Sequence, residues 1–222
     1  MFNWLEKNPF FFTVVLFVVI AFAGLVEILP NFAESSRPIV GKKPYTMLEL
    51  AGRNVYIKDN CMSCHSQLIR PFKNETDRYG MYSLSGEYAY DRPFLWSSKR
   101  TGPDLHRVGN YRSTDWHENH MKDPQAIVPG SIMPKYPWHF ENNADIATAY
   151  DEAVTVMNVF NVPYNIEGNP VVPATFAEAK ENMLAQAKEI AADMKDPGVK
   201  AALENGEIKE IVALIAYLNS LK

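Results

Sequence analysis

Cysteine is nearly absent from this chain, with two residues in 222. That excludes a disulfide-built scaffold and any zinc or iron–sulfur site needing four thiolates. Dense runs of lysine and arginine are missing, and the formal net charge is −4, so the electrostatic footprint of a nucleic-acid binder is lacking. No internal repeat, low-complexity tract or convincing alternating strand pattern is present. Apolar residues still make up 47% of the chain, enough to build a core and to exclude a disordered protein.

Long apolar runs are also absent, with one exception. From Phe10 to Val26 every residue but Thr13 and Gly24 is apolar. Extended to Leu29 the run has 20 residues, and at ~1.5 Å per residue it matches the ~30 Å hydrocarbon layer of a bilayer. Lys7 before the run and Ala21-Phe22-Ala23 within it also fit a cleaved signal peptide. The apolar run continues past that site through Leu25, Val26, Ile28 and Leu29, however, which favours a retained transmembrane helix. Glu27 sits near its far end, either solvated or paired with a neighbouring subunit, and Pro30 is expected to stop the helix. Charge does not orient it, because Lys7 on one side is balanced by Arg37, Lys42 and Lys43 on the other.

The remainder reads as mostly helical. Residues 31–46 form a polar connector with Pro38 and Pro44, leaving a domain over 47–222. A helix is expected over Met47–Asn60, with Leu48, Ala51, Val55 and Tyr56 on one side and Gly52 admitting a close neighbour. From Pro71 to Trp138 the sequence is rich in Gly, Pro, Tyr, Trp and Arg without periodicity, and is expected to be loop wrapped around something. Helical patterning returns at Asp145–Phe160, and Thr175-Phe176-Ala177-Glu178 has the form of a capping box opening a helix to about Met194. Asp196-Pro197-Gly198 breaks it, so 141–206 reads as an inserted helical region. The last helix, about Glu207 to Leu221, is apolar over most of its surface and must be largely buried.

Both cysteines fall in Cys61-Met62-Ser63-Cys64-His65, the spacing of c-type haem attachment. Two thiols on adjacent turns reach the two vinyl groups of one porphyrin, and the histidine beside the second lies under the iron. A redox dithiol would want a βαβ setting, and zinc would need two further ligands; neither is present in the pattern. The Pro103 carbonyl of Gly102-Pro103-Asp104-Leu105 is a candidate acceptor for the other nitrogen of His65. The distal ligand should be methionine or histidine. Met133, in Ile132-Met133-Pro134-Lys135-Tyr136, is the choice over Met62, Met81 and Met121, because a proline stiffens the loop after its sulfur. His106, His117, His120 and His139 read as surface or hydrogen-bonding residues. Arg100 and Arg107 flank the proline turn and are the candidates for pairing with haem propionates. Histidine/methionine ligation would leave no open position, so the iron is expected to pass electrons and not to bind oxygen. Haem c is attached outside the cytoplasm, which orients the anchor with its amino end inside and the domain in the periplasm.

These residues carry two resemblances. The framework Gly52…Tyr56, Cys61-x-x-Cys64-His65, Gly102-Pro103-Asp104-Leu105, Met133-Pro134 and Tyr217-Leu218 resembles class I cytochrome c folds. CMSCHSQLIRPF, RYGMYSLSGEYAYDRPFLWSSKRTGPDLHRVG, GSIMPKYPW and MNVFNVPYN, after one amino-terminal apolar helix, resemble the mono-haem subunit of cbb3-type cytochrome c oxidases over almost the whole chain. That resemblance implies an electron-transferring, non-catalytic subunit of a proton-pumping bacterial inner-membrane oxidase. Electrons would come from a di-haem cytochrome c subunit or soluble cytochrome c and pass to haem b of the catalytic haem–copper subunit. The alternatives are a free-standing, membrane-tethered cytochrome c shuttle and, from another class, a haem enzyme or sensor with an open iron.

Overall fold

The computed structural model describes residues 2–29 and 38–222, and the chain divides into two compact units, Met1–Ser36 and Arg37–Lys222. The first holds α1 (Phe2–Lys7) and α2 (Pro9–Ile28). Proline at the first position of α2 starts the helix at no hydrogen-bond cost, since that N–H would be unpartnered anyway. None of the 20 residues of α2 is buried, so a predominantly apolar surface is left for a surrounding apolar phase. This is a candidate membrane anchor by length and composition, and Glu27 lies exposed in its last turn. The expected stop at Pro30 and the first part of the connector lie outside the described residues.

In the second unit the helices are α3 (Met47–Lys58), α4 (Lys73–Tyr79), α5 (Thr114–Lys122), α6 (Pro124–Ile127), α7 (Trp138–Glu141), α8 (Ile146–Phe160), α9 (Phe176–Ala192), α10 (Pro197–Glu204) and α11 (Glu210–Ser220). Among the described residues there is no β-strand, only an isolated bridge between Asn143 and Lys209. The architecture is mostly α, as the sequence pattern predicts.

The core is the crossing of α3 and α11. Every residue of α11 from Glu210 to Leu218 is buried, as are Leu48, Leu50, Ala51, Gly52, Val55 and Tyr56 of α3. Gly52 makes the crossing possible: a Cβ there would lie 1.8 Å from the Ala213 carbonyl oxygen. The Tyr56 and Tyr217 rings meet beside it at 5.6 Å. The helices α8 and α9 share this core through small residues, Ala149 and Ala153 on α8 and Ala179 and Ala187 on α9. The expected inserted region is therefore packed into the same apolar cluster as α3 and α11.

Three local readings change in the structure. The complete capping box stands at Thr46–Glu49, where Glu49 N donates to Thr46 Oγ1 (3.2 Å) and Thr46 N donates to Glu49 Oε2 (2.7 Å). Thr175 accepts from Glu178 N at 3.4 Å, one half of the motif. Asp196-Pro197-Gly198 ends one helix and opens the next: Asp196 Oδ1 accepts from Gly198 N (2.9 Å) and Val199 N (3.3 Å), with Pro197 in the first turn of α10. Finally, the stretch Pro71–Trp138 contains α4, α5 and α6, not loop alone. The helix α5 buries His117, Glu118 and Met121, and a buried face two-thirds polar hides its period from hydropathy. Glu118 accepts from Lys195 N and Asp196 N, both at 2.7 Å, so it binds the turn between α9 and α10.

Candidate haem site

Asp59 caps the end of α3, and Asn60 adopts the left-handed conformation (φ 54°) that turns the chain into a tight 3-10 turn over Cys61–Ser63. His65 N and Cys64 N both donate to the Cys61 carbonyl, at 3.0 and 3.2 Å. This brings the two thiols and the imidazole onto one short turn. The thiols are unpaired, Cys61 half-buried and Cys64 exposed. Burial pushes the Cys61 thiol up to about 12, the opposite of the low value that a reactive redox dithiol requires.

The imidazole is fixed from two sides. His65 Nδ1 lies 2.8 Å from the Pro103 carbonyl oxygen, so the acceptor expected from the Gly-Pro-Asp-Leu segment is in place. With that carbonyl accepting, Nδ1 carries the proton and Nε2, which has no protein partner, presents its lone pair. Burial holds the ring below its ordinary range, the neutral form a metal ligand needs. Gly102 lets the ring lie against the turn: a Cβ there would sit 2.2 Å from His65 Cε1, and Gly102 N donates to the Cys64 carbonyl (2.9 Å). The Tyr56 hydroxyl donates to the His65 carbonyl (3.2 Å), tying the turn to the α3–α11 crossing, where Tyr217 donates to Gln67 Oε1 (3.0 Å).

Sequence reasoning missed Asp104, although it lies inside the quoted motif. Its buried carboxylate accepts from Ser66 Oγ (2.7 Å), Leu68 N (2.8 Å) and His106 N (2.9 Å), stapling the segment after His65 to the proline turn. Glu75 was missed as well, because nothing local marks it. It accepts from Arg70 and from Arg100 Nη2 (2.6 Å), and the Arg100 contact holds its carboxyl down to about 2.

Both expected propionate partners are occupied by protein. Arg100 donates to Ser66 Oγ, the Leu68 carbonyl and Glu75, while Arg107 donates to Glu87 (2.7 Å) and to the carbonyl oxygen of Lys222 (2.9 Å). Arg100 also lines a polar cleft of about 370 Å³ that reaches Gly102 and Pro103. Of the histidines expected to be surface or hydrogen-bonding residues, His106, His117 and His139 are buried, and His106 and His139 are hydrogen-bonded. Polar partners within the fold, Ser83 Oγ for His106 (2.5 Å) and Asp59 for His139, make the burial of these two tolerable and are invisible in sequence.

Met133 is half-buried at the edge of the core, with its N–H donated to Ser131 Oγ (3.2 Å). Of its rivals, Met121 lies in the core, Met62 packs against it, and Met81 is 58% exposed. Tyr136 and Trp138 stand beside one another at 5.2 Å, and burial, with a smaller effect of the nearby Cys61, Asp59 and Cys64, raises the Tyr136 hydroxyl to about 12.

Two unpaired thiols, a neutral imidazole with one nitrogen engaged and one free, and a glycine cradle under the ring together fit a haem. No curated protein matches the chain. Its residues 2–222 match the family described as cytochrome c oxidase, mono-heme subunit/FixO, and on that near-complete match the chain belongs to this family of oxidase subunits.

Proposed function

We propose that this subunit is a membrane-anchored c-type cytochrome relaying single electrons within a cbb3-type oxidase. It would take them from a di-haem cytochrome c subunit or soluble cytochrome c and deliver them to haem b of the catalytic subunit. Membership of a mono-haem oxidase family supplies one haem and a multi-subunit enzyme as the setting. The observation that carries the finer reading is the His65–Pro103 pair beside two unpaired thiols.

In this reading Cys61 and Cys64 would hold the haem by thioether bonds, and His65 Nε2 and Met133 Sδ would be the protein groups that bind its iron. When bound, the haem supplies a one-electron iron couple. The protein's own contribution is positional. Pro103 fixes the tautomer and orientation of His65 and raises its basicity. Asp104 and Tyr56 immobilise the chain on either side of it, so little reorganisation accompanies a change of charge. Tyr136 and Trp138 contribute apolar cover, which keeps water from the site. Arg100, already neutralised by Glu75, would reach a propionate only through Nη1, which has no protein partner. The domain boundaries follow: residues 1–30 as anchor, 31–46 as connector and 47–222 as the haem domain, with the amino end cytoplasmic and the haem domain periplasmic.

The test is isolation from native membranes in mild detergent. Co-purification with subunits containing haem b and a di-haem cytochrome c, and a haem stain that stays on this chain after denaturation, is the expected result. Recovery of a lone haem-staining chain without haem b would overturn the oxidase-relay reading. Recovery in the oxidase without denaturation-resistant stain would overturn covalent attachment.

A further inference from the structure

Three elements that are distant in sequence meet at Asp59. Its Oδ2 accepts from Trp138 Nε1 (3.1 Å) and, in a shorter contact, from His139 Nε2. His139 is fully buried. Behind it, Glu210 at the start of α11 pairs with Lys58 (2.5 Å), and Glu210 N donates to the Asn142 carbonyl (3.0 Å). Asp59, His139 and Glu210 present metal-type donors within 4.8 Å of one another, but His139 already bonds Asp59 and the Lys58 ammonium already neutralises Glu210. The cluster is therefore an ion-pair and hydrogen-bond lock, with its cation built in.

What the lock joins matters more than its strength. Asp59 is two residues before Cys61, the first attachment thiol; Trp138 and His139 are five and six residues after Met133. Between Met133 and Trp138 stand Pro134 and Pro137, whose rings fix φ and stiffen the arm. Tyr136 stacks on His139 (5.1 Å, 10° between planes), and its N–H donates to the Met121 carbonyl (3.0 Å). An arm this stiff transmits the placement of its anchored end to the sulfur a few residues away.

We propose that Asp59 is a positioning residue that clamps the Met133 arm to the cysteine turn through Trp138 and His139, and so sets how firmly the methionine sulfur is held on the iron. This rests on the reading of Met133 as the distal ligand. Asp59→Asn keeps the shape but halves the acceptor capacity and removes the charge. Both donors share Oδ2, so loss of the charge that assists their two hydrogen bonds should raise the ratio of methionine-off to methionine-on protein about tenfold or more.

The test uses the haem-loaded full chain in detergent, comparing wild type with Asp59→Asn, Trp138→Phe and His139→Gln. The readouts are the sulfur-to-iron absorption band, carbon monoxide binding by the reduced protein and the reduction potential. The expected result is a wild type with a strong band and little carbon monoxide binding. Asp59→Asn should show a weakened band, about tenfold more carbon monoxide binding and a lower potential, and the two donor variants should show smaller shifts in the same direction. A wild type without the band, or one that readily binds carbon monoxide, overturns the Met133 reading and the clamp with it. A normal wild type with an Asp59→Asn variant identical to it overturns the clamp alone. If Asp59→Asn does not fold, the donor variants decide, and wild-type spectra in both overturn the clamp.

Discussion

At the scale of single residues, the site depends on what Gly102 does not have. The His65 ring occupies the space a side chain at Gly102 would fill, with a Cβ placed 2.2 Å from Cε1 and 2.7 Å from Nδ1. Gly102→Ala should push the imidazole off the Pro103 carbonyl and cost about 1–3 kcal/mol, the usual range for overpacking. Urea unfolding of the haem-loaded protein measures this; an unchanged midpoint would show that the turn yields to the ring at no cost. Little of this was hidden in the sequence. The spacing Cys-x-x-Cys-His and the Gly-Pro-Asp-Leu segment pointed to His65 and Pro103 because covalent chemistry and a proline carbonyl act locally. Asp104 and Glu75 were not legible, since a buried carboxylate is recognised by the donors that surround it, and those come from Ser66, Leu68, Arg70 and Arg100.

At the scale of elements, the α3–α11 crossing positions everything else. A side chain at Gly52 would meet the backbone of Ala213 at 1.8 Å and Tyr217 Cβ at 2.9 Å. Backbone on a fully buried helix cannot retreat as a flexible side chain can. Gly52→Ala should therefore cost about 3 kcal/mol or more, the upper end of overpacking penalties. The thermal unfolding midpoint should fall accordingly, whereas Ala→Gly at exposed Ala147 of α8 should cost only about 1 kcal/mol through helix propensity. Equal losses in the two variants would remove the crossing from its organising role. The apolar stripes of α3, α8 and α11 predicted these helices, but α5 escaped because its buried face carries His117 and Glu118. Such a face has the helical period without the hydropathy that makes a period visible.

At the scale of the whole molecule, buried neutral histidines set the response to acid. Burial pushes His106 down to about 3 and His117 and His120 to about 4, with neighbouring cationic charge adding to the effect. Each folded value lies below the ~6.5 of a free imidazole, so the unfolded chain takes up protons first. This contribution to stability is intact above about pH 6.5 and is lost as the pH falls towards about 4, by at most ~1.4 kcal/mol per pH unit per histidine. Glu75, held at about 2 chiefly by its hydrogen bond from Arg100, adds a second loss beginning only below the ordinary carboxylate range near ~4.5. Urea midpoints should therefore decline from neutral pH to about pH 5, above the range in which Glu75 and carboxylates of ordinary pKa take up protons. A flat profile over that interval would mean that these imidazoles are not held neutral in the fold.

The sequence alone determined the features that local chemistry or composition dictates. These are an apolar segment of bilayer length, a mostly helical domain, the attachment of haem through Cys61 and Cys64 as an expectation, and the oxidase-subunit family, which residues 2–222 bear out. Tertiary structure decided which polar groups are buried and with whom. It placed Arg100 and Arg107 on Glu75 and Glu87, turned Asp196-Pro197 into a helix start, and brought Asp59 under Trp138 and His139. The reason is physical: a buried charge is tolerated only beside its partner, and partners 80 residues apart, as Asp59 and His139 are, leave no periodic trace in a chain.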